Sequence, residues 1–126
     1  RHRPTKSSGT EVTLAPDIFA GEEMKRHLRR SADEIGRRLR RKHYVARGVR
    51  VKLKTTDFQL VTRQHRLARG TDVADEFYRI GVSLLSEFDH RGPFRLVGMA
   101  AYEIERYNEQ VSDHCGVRID LTVGSR

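Results

Sequence analysis

The chain has no tryptophan, only three prolines, and one cysteine, Cys115, among its 126 residues. A single cysteine excludes an intrachain disulfide framework and a cysteine-based zinc site, and it fits a reducing compartment. No apolar run approaches the roughly 18 residues that mark a membrane span. The opening residues, Arg-His-Arg-Pro-Thr-Lys-Ser-Ser, lack the apolar stretch of a signal peptide. They also lack an initiator Met, which is what a piece cut from a longer protein would show.

Catalytic clusters are missing as well. The acidic pairs Glu22-Glu23, Asp33-Glu34 and Asp75-Glu76 are adjacent in sequence. Neighbouring positions on a helix diverge by about 100°, so such pairs do not converge on a metal. His27, His43, His65, His90 and His114 show no His-x-x-x-His spacing, and Ser7-Ser8-Gly9 lacks the rest of a Gly-x-x-x-x-Gly-Lys-Ser phosphate loop. His114 adjoins Cys115, but a nucleophile needs a further orienting group and none is evident. The expectation is a chain with no catalytic residue and no bound metal or cofactor, in which Cys115 is a bystander.

What the chain has in excess is positive charge: 25 Lys and Arg against 17 Asp and Glu, a formal +8. Such a balance favours phosphate backbones, because each neutralised phosphate releases condensed counterions. A basic surface can equally be a solvated one, so the placement of the charge decides. From Val49 to Lys54 apolar and basic residues alternate, with Val49, Val51 and Leu53 on one side and Arg50, Lys52 and Lys54 on the other. In a strand this gives one greasy face and one cationic face.

The rest of the chain supplies what the greasy face needs. Thr10, Val12 and Leu14 alternate with Glu11 and Thr13 in a first strand, Gly9–Leu14, ended by Pro16 and Asp17. Residues 21–42 read as a helix with Met24, Leu28, Ala32, Ile35 and Leu39 in one stripe. Its crowd of cations gathers toward the C-terminal end, where it complements the helix dipole and reads as a solvated face. Gly48 marks a turn into strands near 49–55 and 58–67, which fold back at Thr55-Thr56-Asp57. A second helix runs over 72–89, capped by Thr71 or Asp72, with Val73, Phe77, Ile80, Leu84 and Phe88 as its core stripe. After His90-Arg91-Gly92-Pro93 comes a last strand over 94–104.

This order, βαββαβ, predicts an α+β two-layer sandwich: a four-stranded β-sheet backed by two α-helices, with the cationic side open. Residues 1–8 form a linker or arm, 9–104 the domain, and 105–126 a C-terminal tail. In the tail Val117, Ile119, Leu121 and Val123 alternate with polar residues, as in a short strand or docking peptide, but the segment as a whole reads as an unstructured tail.

Taken in order, several segments resemble the little-finger domain of Y-family translesion DNA polymerases, the DNA polymerase IV branch most of all. They are Lys-Ser-Ser-Gly-Thr-Glu (6–11), the basic helix, Val-Lys-Leu-Lys-Thr-Thr-Asp-Phe-Gln (51–59), Val-Thr-Arg (61–63), the second helix and Pro-Phe-Arg-Leu-Val-Gly (93–98). The resemblance covers Lys6 to Ile104. It implies a noncatalytic module of an error-prone polymerase that grips template-primer DNA in the major groove and supports processivity during damage bypass. The implied contacts go mainly to phosphates, which hold register without reading sequence. They would come from Ser7, Ser8 and Thr10 on the first strand and Arg50, Lys52 and Lys54 on the second. Thr62, Arg63 and Arg66 would follow on the third, and Arg95 on the last. Arg63 and Arg66 cannot share a face without a bulge, and Thr62 with Arg63 is the favoured pair.

The implied partners are template-primer DNA, the palm, fingers and thumb of the same polymerase, and a sliding clamp. The clamp would be met through Val117–Val123, which lacks the Gln and terminal Phe of the family's clamp peptide, or through His65–Ala68. The family's Mg2+ is held by palm carboxylates outside this chain, and the implied location is a bacterial-type cytoplasm, at the nucleoid during repair. Two other readings stand beside this one: a scaffold related to an inactive polymerase, and a free-standing nucleic-acid-binding domain. RNA-binding sheets usually present aromatic residues for base stacking. Here the exposed strand positions are mostly Arg, Lys and Thr, which favours a backbone grip.

Overall fold

The computed structural model describes residues 6–88 and 91–107. Four strands and two helices follow in the expected order: β1 (Lys6–Ile18), α1 (Glu22–Lys42), β2 (Tyr44–Thr55), β3 (Leu60–Thr71), α2 (Ala74–Leu85) and β4 (Phe94–Arg106). The strands form one antiparallel sheet in the order β1-β4-β2-β3. This is the α+β architecture that the alternation and the two helical stripes require.

The core lies between the sheet and the helices. Met24, Leu28, Ala32, Ile35 and Leu39 of α1 are buried, and so are Val49, Val51 and Leu53 of β2. Phe77, Leu84 and Phe88 complete it from α2 and the 3-10 turn Ser86–Phe88. Arg29 joins the two helices: Nη2 lies 3.2 Å from Asp75 Oδ1, and the guanidinium lies 4.1 Å from the centre of the Tyr78 ring.

Several boundaries differ from the sequence reading, each for a physical reason. Pro16 and Asp17 do not end β1. The strand continues through an irregularity between Thr13 and Ile18, and Ile18 pairs with Phe94. β1 is an edge strand, where proline costs no ladder hydrogen bond. Its start at Lys6 also falls inside the segment expected to be an arm.

Gly48 is not a turn but an interior residue of β2. A Cβ there would lie 2.2 Å from Cζ of Tyr102, so glycine marks the close approach of a ring to the strand. Helix α2 begins at Ala74, and Val73 precedes it in extended conformation, 45% exposed, outside the core stripe. No side chain caps the helix; instead Thr71 Oγ1 accepts from the Val73 amide at 3.1 Å. β3 runs from Leu60 to Thr71, later at both ends than expected, and β4 continues to Arg106. The tail from 108 onward, with Cys115 and Val117–Val123, and also His90, lie outside the described residues.

Candidate nucleic-acid interface

Both helices cover one side of the sheet, and the register fixes what the other side presents. Four rungs cross the open face in the order β1-β4-β2-β3. They are Thr13–Leu96–Lys54–Leu60, Glu11–Gly98–Lys52–Thr62, Gly9–Ala100–Arg50–Gln64 and Ser7–Tyr102–Gly48–Arg66. Arg50, Lys52 and Lys54 therefore form a column down the middle of the sheet, with Thr62, Gln64 and Arg66 beside them on β3. On one face of a strand side chains recur about every 6.8 Å, so the column spaces its charges regularly.

The same register places the remaining candidates. Ser8 and Thr10 belong to the helix side, in rungs with Ala101 and Met99. Thr10 Oγ1 donates to Ser31 Oγ at 2.6 Å, and Arg38 Nη1 donates to Ser8 Oγ at 3.4 Å and to the Gly9 carbonyl at 3.1 Å. Only Ser7 of the three first-strand candidates shares the open face. Arg63, the favoured partner of Thr62, and Arg66 fall on opposite faces of the sheet. Arg63 pairs with Val51 on the helix side, donates to Glu87 at 3.1 Å and lies 5.2 Å from the centre of the Phe88 ring. Arg66 shares the open face with Thr62. Arg95 sits at the hairpin end, its guanidinium stacked 4.1 Å from the Phe58 ring centre.

Most cations of the open face already have intramolecular partners. Lys52 Nζ lies 2.7 Å from Glu11 Oε1, and Arg66 Nη2 lies 2.5 Å from Glu103 Oε1. Arg50 donates to Gln64 at 3.0 Å and lies 4.7 Å from the centre of the Tyr102 ring. The Lys54 side chain makes no hydrogen bond or ion pair among the described residues; only its longer-range attraction reaches Glu11. The hydrogen bond from Lys52 holds the Glu11 carboxyl below its ordinary value, helped by the charges of Lys52 and Lys54.

Between these side chains is a depression of 280 Å³, floored by Gly9, Gly98 and Ala100 and flanked by Glu11, Arg50 and Lys52. Small residues keep the floor flat, so a ligand can approach the sheet backbone with cations on one flank. Among the described residues no group of three or more His, Cys, Asp or Glu could hold a metal ion. None of their helices is long and apolar enough to cross a membrane.

Glu11, Gln64, Tyr102 and Phe58 are parts of this surface that the sequence reading did not single out. A signal for Glu11 existed. Leu14 is buried in the core, Val12 and Thr10 share its side by parity, and Glu11 therefore falls on the open side.

Residues 5–113 match the impB/mucB/samB family C-terminal domain. The chain belongs to this family. Among its relatives is DNA polymerase IV of Exiguobacterium sibiricum, 33% identical over 104 residues that make up 82% of this chain and 29% of the relative. DNA polymerase IV of Clostridium kluyveri is 32% identical over 109 residues, 86% of this chain and 27% of the relative. The impB/mucB/samB domain thus spans less than a third of the length of these relatives. Its fold recurs in the insertion ternary complex of Dbh DNA polymerase, with TM-score 0.67, 19% identity and coverage of 82% of this chain and 29% of that one. It recurs also in a DinB family error-prone DNA polymerase from Sulfolobus solfataricus, with TM-score 0.68, 16% identity and coverage of 82% and 30%. The resemblance read from Lys6 to Ile104 is borne out at the level of family and fold.

Proposed function

We propose that this impB/mucB/samB domain is the DNA-gripping little finger of an error-prone polymerase of the DNA polymerase IV type. It holds the phosphate backbone of template-primer DNA along the major groove and supports processivity during damage bypass. One observation carries the reading: the column Lys54–Lys52–Arg50 runs down the centre of the one sheet face that no helix covers. Ser7, Thr62 and Arg66 extend it toward both sheet edges, and Arg95 extends it at the hairpin end. Ser8, Thr10 and Arg63 serve the helix side. Thr10 in particular anchors β1 to α1 through Ser31.

The chemistry of the interface is that of a clamp on charge. Lysine and arginine meet phosphates, and the floor of glycine and alanine lets the DNA backbone approach the sheet closely. Nucleotide transfer, with its Mg2+, belongs to the palm of the proposed polymerase. A sliding clamp is the proposed second partner, and the bacterial cytoplasm, at the nucleoid, the proposed location.

A salt-titrated binding assay with primer-template duplex tests the reading. The logarithm of affinity should fall linearly with the logarithm of salt, by about 0.9 per neutralised phosphate. Replacing Arg50, Lys52 and Lys54 together by Ala should flatten that slope by about 0.9 for each phosphate left without its cation. A slope unchanged in the triple variant excludes this face as the binding surface.

A further inference from the structure

The hairpin between β2 and β3 holds its aromatic residue outward. Phe58 is 63% exposed, with φ of 68°, a left-handed conformation that is uncommon for a bulky residue. The turn enforces it. The Phe58 amide donates to the Thr55 carbonyl at 3.0 Å, and the Thr55 amide donates to the Gln59 carbonyl at 2.9 Å. The Gln59 amide donates to Thr55 Oγ1 at 3.0 Å, and that hydroxyl in turn donates to Asp57. Such strain persists only where the surroundings over-determine it, and it gathers at functional positions.

The Arg95 guanidinium lies 4.1 Å from the ring centre, and Leu60, two residues on in the chain, is 56% exposed on the open face. Lys54 stands opposite Leu60 in the ladder, with no ion-pair partner among the described residues. Two exposed apolar side chains are far too little for a protein interface, which needs about 1,000 Å² of buried surface. They are enough for one planar ring, and the flanking cations complement a phosphate.

We propose that Phe58 and Arg95 form a stacking platform for one unpaired nucleobase, whose phosphate is met by Lys54. The proposal rests on the DNA-gripping reading and refines it: duplex is held by the cationic column, and the first unpaired nucleotide is held at the hairpin end. Stacking on an aromatic or guanidinium plane is sequence-tolerant, because every base offers a π face.

The 126-residue chain is titrated with a blunt duplex and with the same duplex carrying a short unpaired template extension, its first unpaired base replaced by 2-aminopurine. The extension should tighten binding and the 2-aminopurine emission should be quenched. Phe58→Ala should remove about five- to a hundredfold of the extension's contribution, far more than it changes blunt-duplex affinity. Phe58→Trp should retain the gain, and Phe58→Leu, which keeps an apolar turn, should lose it. Thermal melting followed by circular dichroism confirms that each variant is folded. If the wild-type chain binds no DNA, the DNA-gripping reading and the platform fall together. If it binds duplex but gains nothing from the extension, or if Phe58→Ala weakens both probes equally, only the platform falls.

Discussion

At the scale of single residues, the open face is tuned by acids as much as by bases. Glu11 pairs with Lys52, and Glu103 pairs with Arg66. In the proposed grip a phosphate competes with these acids for the cations, so Glu11→Gln should raise duplex affinity by about two- to fivefold, the worth of an exposed ion pair. Fluorescence anisotropy at fixed salt reads this directly; weaker binding would mean that Glu11 supports the interface instead of competing for it. The pH dependence follows in sign. Lys52 depresses the Glu11 pKa below its reference of 4.5 in the unbound domain. Losing Lys52 to a phosphate raises it again, so binding takes up protons and tightens as pH falls through that interval. Glu11→Gln should abolish the effect. Arg63 is the counterpart on the other face. Arg63→Ala should leave the salt slope unchanged and lower the unfolding midpoint, since its partners Glu87 and Phe88 belong to the core side. Parity alone separated Arg63 from Arg66. It did not say which of them was outward, because that depends on where β3 enters the ladder.

At the scale of elements, β2 shows how much one strand can state in advance. Its alternation named the buried set and the cationic set correctly from Val49 to Lys54. Its start was misread because glycine in a strand and glycine in a turn look alike until the neighbouring strand is known. Here the neighbour is Tyr102 of β4, whose ring lies over Gly48. Gly48→Ala would force that ring aside and should cost about 1–3 kcal/mol in urea denaturation, the usual penalty of overpacking. Helix α1 was legible for a similar reason, since a single apolar stripe allows one burial. Much of its charge is satisfied within the helix layer: Glu34 pairs with both Arg37 and Arg38. These hydrogen bonds hold the Glu34 carboxyl below its reference value of 4.5. Its contribution to stability is therefore complete above that value and disappears as pH falls through the lower folded one. Glu34→Gln should flatten the acid limb of a stability–pH profile, measured by thermal melting.

At the scale of the whole molecule, two helices on one side of a four-stranded sheet make the domain two-faced. One face is a dry core built around Phe77, Phe88 and Phe94, all fully buried. Phe77→Ala should cost about 3–5 kcal/mol, the range for an aromatic cavity, without altering the charge of the other face. That other face can meet a polyanion without any movement of the core, which suits the proposed grip on DNA of any sequence. Duplexes of different base composition should accordingly bind with similar affinity at equal salt.

The sequence by itself determined the element order, the two helical stripes, the greasy and cationic sides of β2 and the family resemblance. These follow from periodicity and from the order of motifs, which are local properties of the chain. Only the tertiary structure decided that Ser8, Thr10 and Arg63 turn toward the helices, that Arg66 turns outward, and that Glu11 sits among the cations. Those outcomes depend on the register between strands distant in sequence, and a shift of one residue would exchange the two faces.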